Sequence, residues 1–80
     1  MTHSEISQKL NHVFEDVFDR PGLVVADATT AKDVDGWDSL THVELIVAVE
    51  KAFRVRFTTK EVKALANVGD FIRLIEKRSN

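Results

Sequence analysis

Apolar residues at Ile6, Leu10, Val13, Phe14, Val17 and Phe18 recur in steps of three and four. That spacing places them on one face of a helix. Thr2 with Glu5, or Ser4 alone, offers a cap for its start. Pro21-Gly22 ends it, because proline has no N–H for the ladder and its ring clashes with the preceding turn. From about residue 19 to 37 no period is sustained. Leu23, Val24 and Val25 read either as a short extended piece or as a loop packed over the core. Asp27, Thr29, Thr30, Asp33, Asp35 and Gly36 are turn formers. A connection of this length inside a small domain is often functional.

A second helix is predicted from Asp38-Ser39 to about Phe53, with Leu40, Val43, Ile46, Val47, Val49, Ala52 and Phe53 as a broad apolar stripe. Val-rich runs also suit strands, but the length and the capped start favour a helix. Its apolar content predicts the most buried element of the chain. A short third helix is expected over about Thr59–Leu65, with Thr58 and Glu61 forming a capping box. The fourth starts near Asn67–Asp70 and turns Phe71, Ile72, Leu74 and Ile75 inward. Lys77 and Arg78 then lie at its C-terminal end, where the helix dipole favours cations. The pattern predicts an all-α fold, a small four-helix bundle of three longer helices and one short one, with a long first loop. Residues 1–80 form a single domain.

Composition narrows the function. There is no Cys, which excludes disulfides, thiolate metal sites and cysteine nucleophiles. The N-terminus shows no basic region followed by an apolar run, and the longest apolar stretch, Leu45 to Val49, is far too short to span a membrane. A cytoplasmic setting is therefore expected. The net charge of −2 conceals an asymmetry: residues 1–50 hold ten acids against three bases, and residues 51–80 hold eight bases against three acids. Such a split orients a partner during encounter or is simply a solvated surface.

The stretch with chemical content is Gly36-Trp37-Asp38-Ser39-Leu40. It ends a polar loop and opens a helix, so the Ser39 hydroxyl is exposed at a helix N-terminus. There the first N–H groups lack internal partners and the dipole favours an anion such as a phosphate ester. Asp38 beside it is placed to hold a metal ion or a basic enzyme group during transfer. Asp and Ser are also ordinary N-cap residues, and taken alone the tripeptide is a cap far more often than a modification site. Trp37 is expected to pack on the loop or touch a partner, with packing favoured for a large ring.

The run from Asp38 to Phe53 resembles the second helix of acyl carrier proteins: Asp-Ser-Leu, then Val-Glu-Leu, then an apolar stretch, then Glu and Phe. The upstream helix, the long loop, Phe57 before Thr58, the short helix and the final helix after Val68 match as well. The resemblance implies a non-catalytic carrier. Its Ser39, flanked by Asp38 and Leu40, would bear 4′-phosphopantetheine attached from coenzyme A by a phosphopantetheinyl transferase. Acyl or aminoacyl groups, loaded by a ligase or transferase, would ride on the arm's thiol as thioesters. It implies a monomer whose partner contacts are drawn from Trp37, Leu40, Val43, Glu44, Val47, Glu50 and Lys51. An acyl pocket would be lined by Ile46, Val49, Phe53, Phe57 and Leu65, positions that also suit plain core packing.

The sequence departs from that pattern in its charges. Glu44 and Glu50 stand where the family has acids, but Thr41 and Lys51 replace others, and Arg54 and Arg56 make the following loop basic. Asp35-Gly36-Trp37 stands where Leu-Gly-Ala-like residues are usual. A basic partner would be attracted less, which points to a dedicated pathway, polyketide or another specialised acyl route, over general fatty acid synthesis.

Other functions fit less well. Ser39 and His42 share a helix face, and Asp38 completes a set of nucleophile, base and acid. These are sequence neighbours with no oxyanion hole in evidence, and no Gly-x-Ser-x-Gly elbow is present. The stretch is similar to the Gly-Asp-Ser-Leu of some esterases, but Trp37 interrupts it. His3, His12 and His42 match no zinc spacing and are expected to face solvent. The basic C-terminal part suits nucleic acid, but the acidic remainder opposes it. A helical protein-interaction module with no prosthetic group shares the fold and is the alternative.

Overall fold

In the computed structural model, which describes residues 2–78, four helices form: α1 (His3–Phe18), α2 (Ser39–Phe53), α3 (Thr59–Lys63) and α4 (Val68–Arg78). Among the described residues there is no strand, only an isolated antiparallel bridge between Thr30 and Asn67. Both predicted capping boxes form. Thr2 Oγ1 accepts from the Glu5 N–H at 3.1 Å while Glu5 Oε1 accepts from the Thr2 N–H at 2.8 Å. Thr58 and Glu61 repeat the arrangement at 3.2 and 2.9 Å. Each pair satisfies two N–H groups that a helix start leaves free. α1 ends at Phe18, ahead of Pro21, because Asp19 turns left-handed at φ 51°. α3 stops at Lys63, short of the expected Leu65.

The core is built on α1, which packs against both α2 and α4. Ile6, Leu10 and Phe14 of α1 meet Leu45 and Val49 of α2 and Phe71, Ile72 and Ile75 of α4. Phe14 is edge-on to Trp37 (centroids 5.3 Å apart) and to Phe71 (6.2 Å), the geometry that ring quadrupoles favour.

The expectation that α2 is the most buried element is wrong. α4 buries five of its 11 residues and α2 four of its 15. The predicted α2 stripe is inward only in part: Ile46, Val49 and Phe53 are buried and Ala52 is half-buried, but its other members are not. Leu45, Ile46, Val49 and Phe53 face the core, whereas Leu40, Val43 and Val47 are 70%, 59% and 45% exposed. A helix that is apolar on two sides gives no phase, so spacing alone does not single out Leu45 as inward. Leu74, expected inward, is half-buried.

The long loop is pinned at both ends by polar contacts. The Asn11 Nδ2–H donates to the Leu23 carbonyl and Asn11 Oδ1 accepts from the Val25 N–H, both at 2.8 Å. Residues 23–25 are thus a loop held by α1, with Val25 buried and Val24 outside. Further along, the Thr29 and Asp27 carbonyls accept from the N–H groups of Val68 and Gly69 at 2.9 and 2.8 Å. Those donors lie in the first turn of α4, which has no internal acceptors for them. The close approach favours a glycine, since a Cβ at Gly69 would sit 3.1 Å from the Asp27 carbonyl oxygen and push it back by a few tenths of an ångström. Held this way, the loop delivers Trp37 and Asp38 to the start of α2.

Candidate functional site

Of the two residues that suit a cap, Asp38 is the one that caps. Its Oδ1 accepts from the Leu40 and Thr41 N–H groups, each at 3.0 Å. Thr41 Oγ1 returns the interaction, accepting from the Asp38 N–H at 2.8 Å and donating to the Gly36 carbonyl at 2.6 Å. The Thr41 N–H is the main reason that the Asp38 carboxyl is held below the usual carboxylate range; slight desolvation opposes it, and the Thr41 hydroxyl and Leu40 N–H reinforce it. Thr41, which breaks the acidic pattern expected there, is therefore the second half of a capping box. Gly36 supports the turn at φ 89°, a conformation that glycine adopts without penalty.

This division of labour leaves Ser39 free. It occupies the first helical position, is exposed, and makes no side-chain hydrogen bond among the described residues. Its hydroxyl stands at the positive end of a helix of 15 residues.

Beside it lies a shallow groove of about 370 Å³, lined by Ala31, Trp37, Asp38, Ser39, His42 and Leu65. Trp37 is 8% exposed, so packing is its main role and only an edge of it borders the groove. Its indole N–H donates to His42 Nδ1 at 3.1 Å. His42 is half-buried, contrary to the expectation of a solvent-facing ring, while His3 and His12 are exposed as expected. Sequence periodicity gave no signal for a partner five residues upstream. The hydrolase reading loses its relay: Asp38 is committed to Leu40 and Thr41, and His42 Nδ1 to Trp37. Among the described residues, no group of three or more His, Cys, Asp or Glu gathers to hold a metal ion.

The remaining expected site residues separate into two sets. Leu40, Val43, Glu44, Val47 and Lys51 lie exposed on α2. Glu50 does not join them: it is half-buried and its Oε2 accepts from the Phe57 N–H at 2.9 Å, tying the α2–α3 loop to α2. Ile46, Val49 and Phe53 are core residues, with Phe57 and Leu65 partly buried against them.

No protein-family model matches the sequence. The chain is, however, 35% identical over 79 residues to the acyl carrier protein of Prochlorococcus marinus (strain MIT 9515), covering 98% of each chain. It belongs to the acyl carrier protein family. The acyl carrier protein of Thermosynechococcus vestitus is also 35% identical over 79 residues, covering 98% of this chain and 96% of that one. The solution NMR structure of a holo acyl carrier protein from Geobacter metallireducens matches with a TM-score of 0.83 at 39% identity, over 89% of this chain and 82% of that chain. Membership gives the chain a carrier role. No helix among the described residues is long and apolar enough to cross a membrane.

Proposed function

We propose that this acyl carrier protein family member bears a 4′-phosphopantetheine arm on Ser39 and serves a dedicated acyl or aminoacyl pathway without catalysing a reaction itself. The observation that supports this is the capping of α2 by Asp38, which leaves the neighbouring Ser39 hydroxyl exposed and without a side-chain partner. The group fits the residues present. A phosphate esterified to Ser39 would meet the positive end of α2, and the groove from Ser39 past His42 to Leu65 offers an apolar and aromatic wall beside it. Asp38 keeps the helix start in place while its charge stays at the surface, next to the hydroxyl that a transferase must reach. When bound, the arm supplies a thiol that holds cargo as a thioester.

The groove reaches Leu65, which with Phe57 is partly buried against the core that holds Ile46, Val49 and Phe53. These residues would shelter an acyl chain if the core parts there. The partners are a phosphopantetheinyl transferase, a loading ligase or transferase, and the enzymes of one route. The cations after Glu50 favour a specialised route over general fatty acid synthesis.

The test is intact mass after incubation with coenzyme A, magnesium and a broad-range phosphopantetheinyl transferase. A gain equal to the arm, mapped to Ser39 and absent in Ser39→Ala, is expected. No gain with several transferases would overturn the reading in favour of a plain interaction module. Efficient malonyl loading and elongation by fatty acid synthesis enzymes would overturn the specialised pathway.

A further inference from the structure

The outward face of α2 carries two kinds of side chain in sequence. Leu40, Val43, Val47, Lys51 and Arg54 follow one another in steps of three and four, so they form one line along the helix. The first three are the large exposed hydrophobics of α2. The line then enters a groove of about 470 Å³ lined by Val47, Glu50, Lys51, Arg54, Val55 and Arg56. The one acid there is engaged, since Glu50 accepts from the Phe57 N–H. Among the described residues, none of Lys51, Arg54 and Arg56 lies within ion-pair distance of a carboxylate, whereas Arg20, Arg73 and Arg78 are paired with Asp35, Asp70 and Glu61. Three exposed cations therefore outnumber the one carboxylate of the groove, Glu50, and leave it with a net positive charge. Arg54 also holds its place at φ 55°, where glycine is the usual residue.

We infer that this face docks a partner protein bearing an acidic patch opposite Lys51, Arg54 and Arg56 and an apolar seat for Leu40, Val43 and Val47. The inference rests on the reading of Ser39 as the loaded residue, because the apolar line starts beside Ser39 and the cations end it. At a rise of 1.5 Å per residue, Lys51 lies about 18 Å along the helix from Ser39. The partner's acidic patch would then lie about that far from the mouth that receives the arm. The apolar line favours a protein over nucleic acid, for which three exposed aliphatic side chains have no use. The charge polarity sets partner choice: a basic partner is repelled at the same end that attracts an acidic one.

The test uses the full unmodified chain and NMR titration with two synthetic amphipathic helical peptides. They share a leucine row and differ only in carrying Glu or Lys at one end. A short single-stranded DNA oligonucleotide is the third probe. The Glu peptide is expected to perturb the amides of Val47, Lys51, Arg54 and Arg56, with affinity roughly tenfold above that of the Lys peptide and falling with salt. K51E/R56E should reverse the preference, and R54G should weaken Glu-peptide binding without lowering the Tm, separating loss of charge from loss of fold. Equal binding of the two peptides, perturbation centred elsewhere, or tighter binding of the oligonucleotide than of the Glu peptide would overturn the inference. The mass-gain assay on the same protein is independent of these titrations. Peptide discrimination without a mass gain rejects the Ser39 reading, and a mass gain without discrimination rejects the docking surface.

Discussion

The Trp37 indole N–H donates to His42 Nδ1 at 3.1 Å, and the two ring planes lie within 13° of each other. A donor at Nδ1 fixes the neutral tautomer with its proton on Nε2, the nitrogen not held by Trp37. The pair therefore joins the loop residue before the Asp38 cap to the first turns of α2 and forms one wall of the Ser39 groove. His42→Ala should leave a buried indole N–H without a partner, at a cost of about 1–3 kcal/mol. The Tm should fall, and the emission of Trp37, the chain's one tryptophan, should shift. His42→Gln, which keeps an acceptor, should recover part of the loss. Unchanged Tm and emission in His42→Ala would show that the bond contributes nothing.

Glu50 and Phe57 give a second prediction. The carboxylate bridges the end of α2 to the residue before the Thr58 cap at 2.9 Å. A hydrogen bond to a charged acceptor contributes up to about 1.5–3 kcal/mol, and at this half-exposed site about 1 kcal/mol is a reasonable share. Glu50→Ala should speed hydrogen exchange of the Phe57 amide about fivefold, while Glu50→Gln, still an acceptor, changes it less. Phe57 exchange in Glu50→Ala equal to that of the parent protein would remove Glu50 as the anchor of the α2–α3 loop.

These two pairs mark the limit of what the sequence could reveal. Helix positions were legible because their signals are local: the Thr2/Glu5 and Thr58/Glu61 boxes and the apolar spacing of α1 need no knowledge of the fold. Ser39 was legible as the expected attachment position through its motif, but the assignment of the cap to Asp38 alone needed coordinates. The face of α2 was not legible, since valine and leucine occupy both its sides and only packing against α1 decides which is inner. Glu50 reads as a surface acid until the loop folds back over it, and His42 as a surface histidine until Trp37 is buried beneath it. Such contacts arise from the path of the loops, which leaves no periodic trace.

Acid should unfold the protein through its helix starts. Glu5 is held below its ordinary range chiefly by the Thr2 N–H, Asp38 by the Thr41 N–H, and Asp70 by the Ala66 N–H. Glu61 falls from 4.5 to about 2, first through Arg78 and then through the Thr58 N–H. A carboxyl whose folded pKa lies below its unfolded one adds stability that is full above the unfolded value and is lost as pH falls through the folded one. For Glu61 that window runs from 4.5 down to about 2. Thermal melts by circular dichroism should show the Tm dropping across this range, with a shallower drop in Glu61→Gln. Parallel pH curves for the two proteins would show that the Glu61 contacts do not contribute to folding.

Arg54 tests whether charge has been kept against a conformational cost. It caps α2 in the left-handed region at φ 55°, with its N–H donating to the Glu50 carbonyl. A residue with a Cβ costs about 1–2 kcal/mol there relative to glycine. Glycine in turn loses about 0.5–1 kcal/mol through its freer unfolded chain. The first effect is the larger, so Arg54→Gly should gain about 0.5–1 kcal/mol of stability in urea unfolding, with the midpoint rising and the slope unchanged. Arg54→Ala keeps the left-handed strain and removes the charge, so it should gain nothing. If Arg54→Gly were destabilising, the arginine side chain would have to make stabilising contacts that outweigh the strain. A gain in stability would instead leave the cation with a use outside folding, which is what a surface for an acidic partner requires.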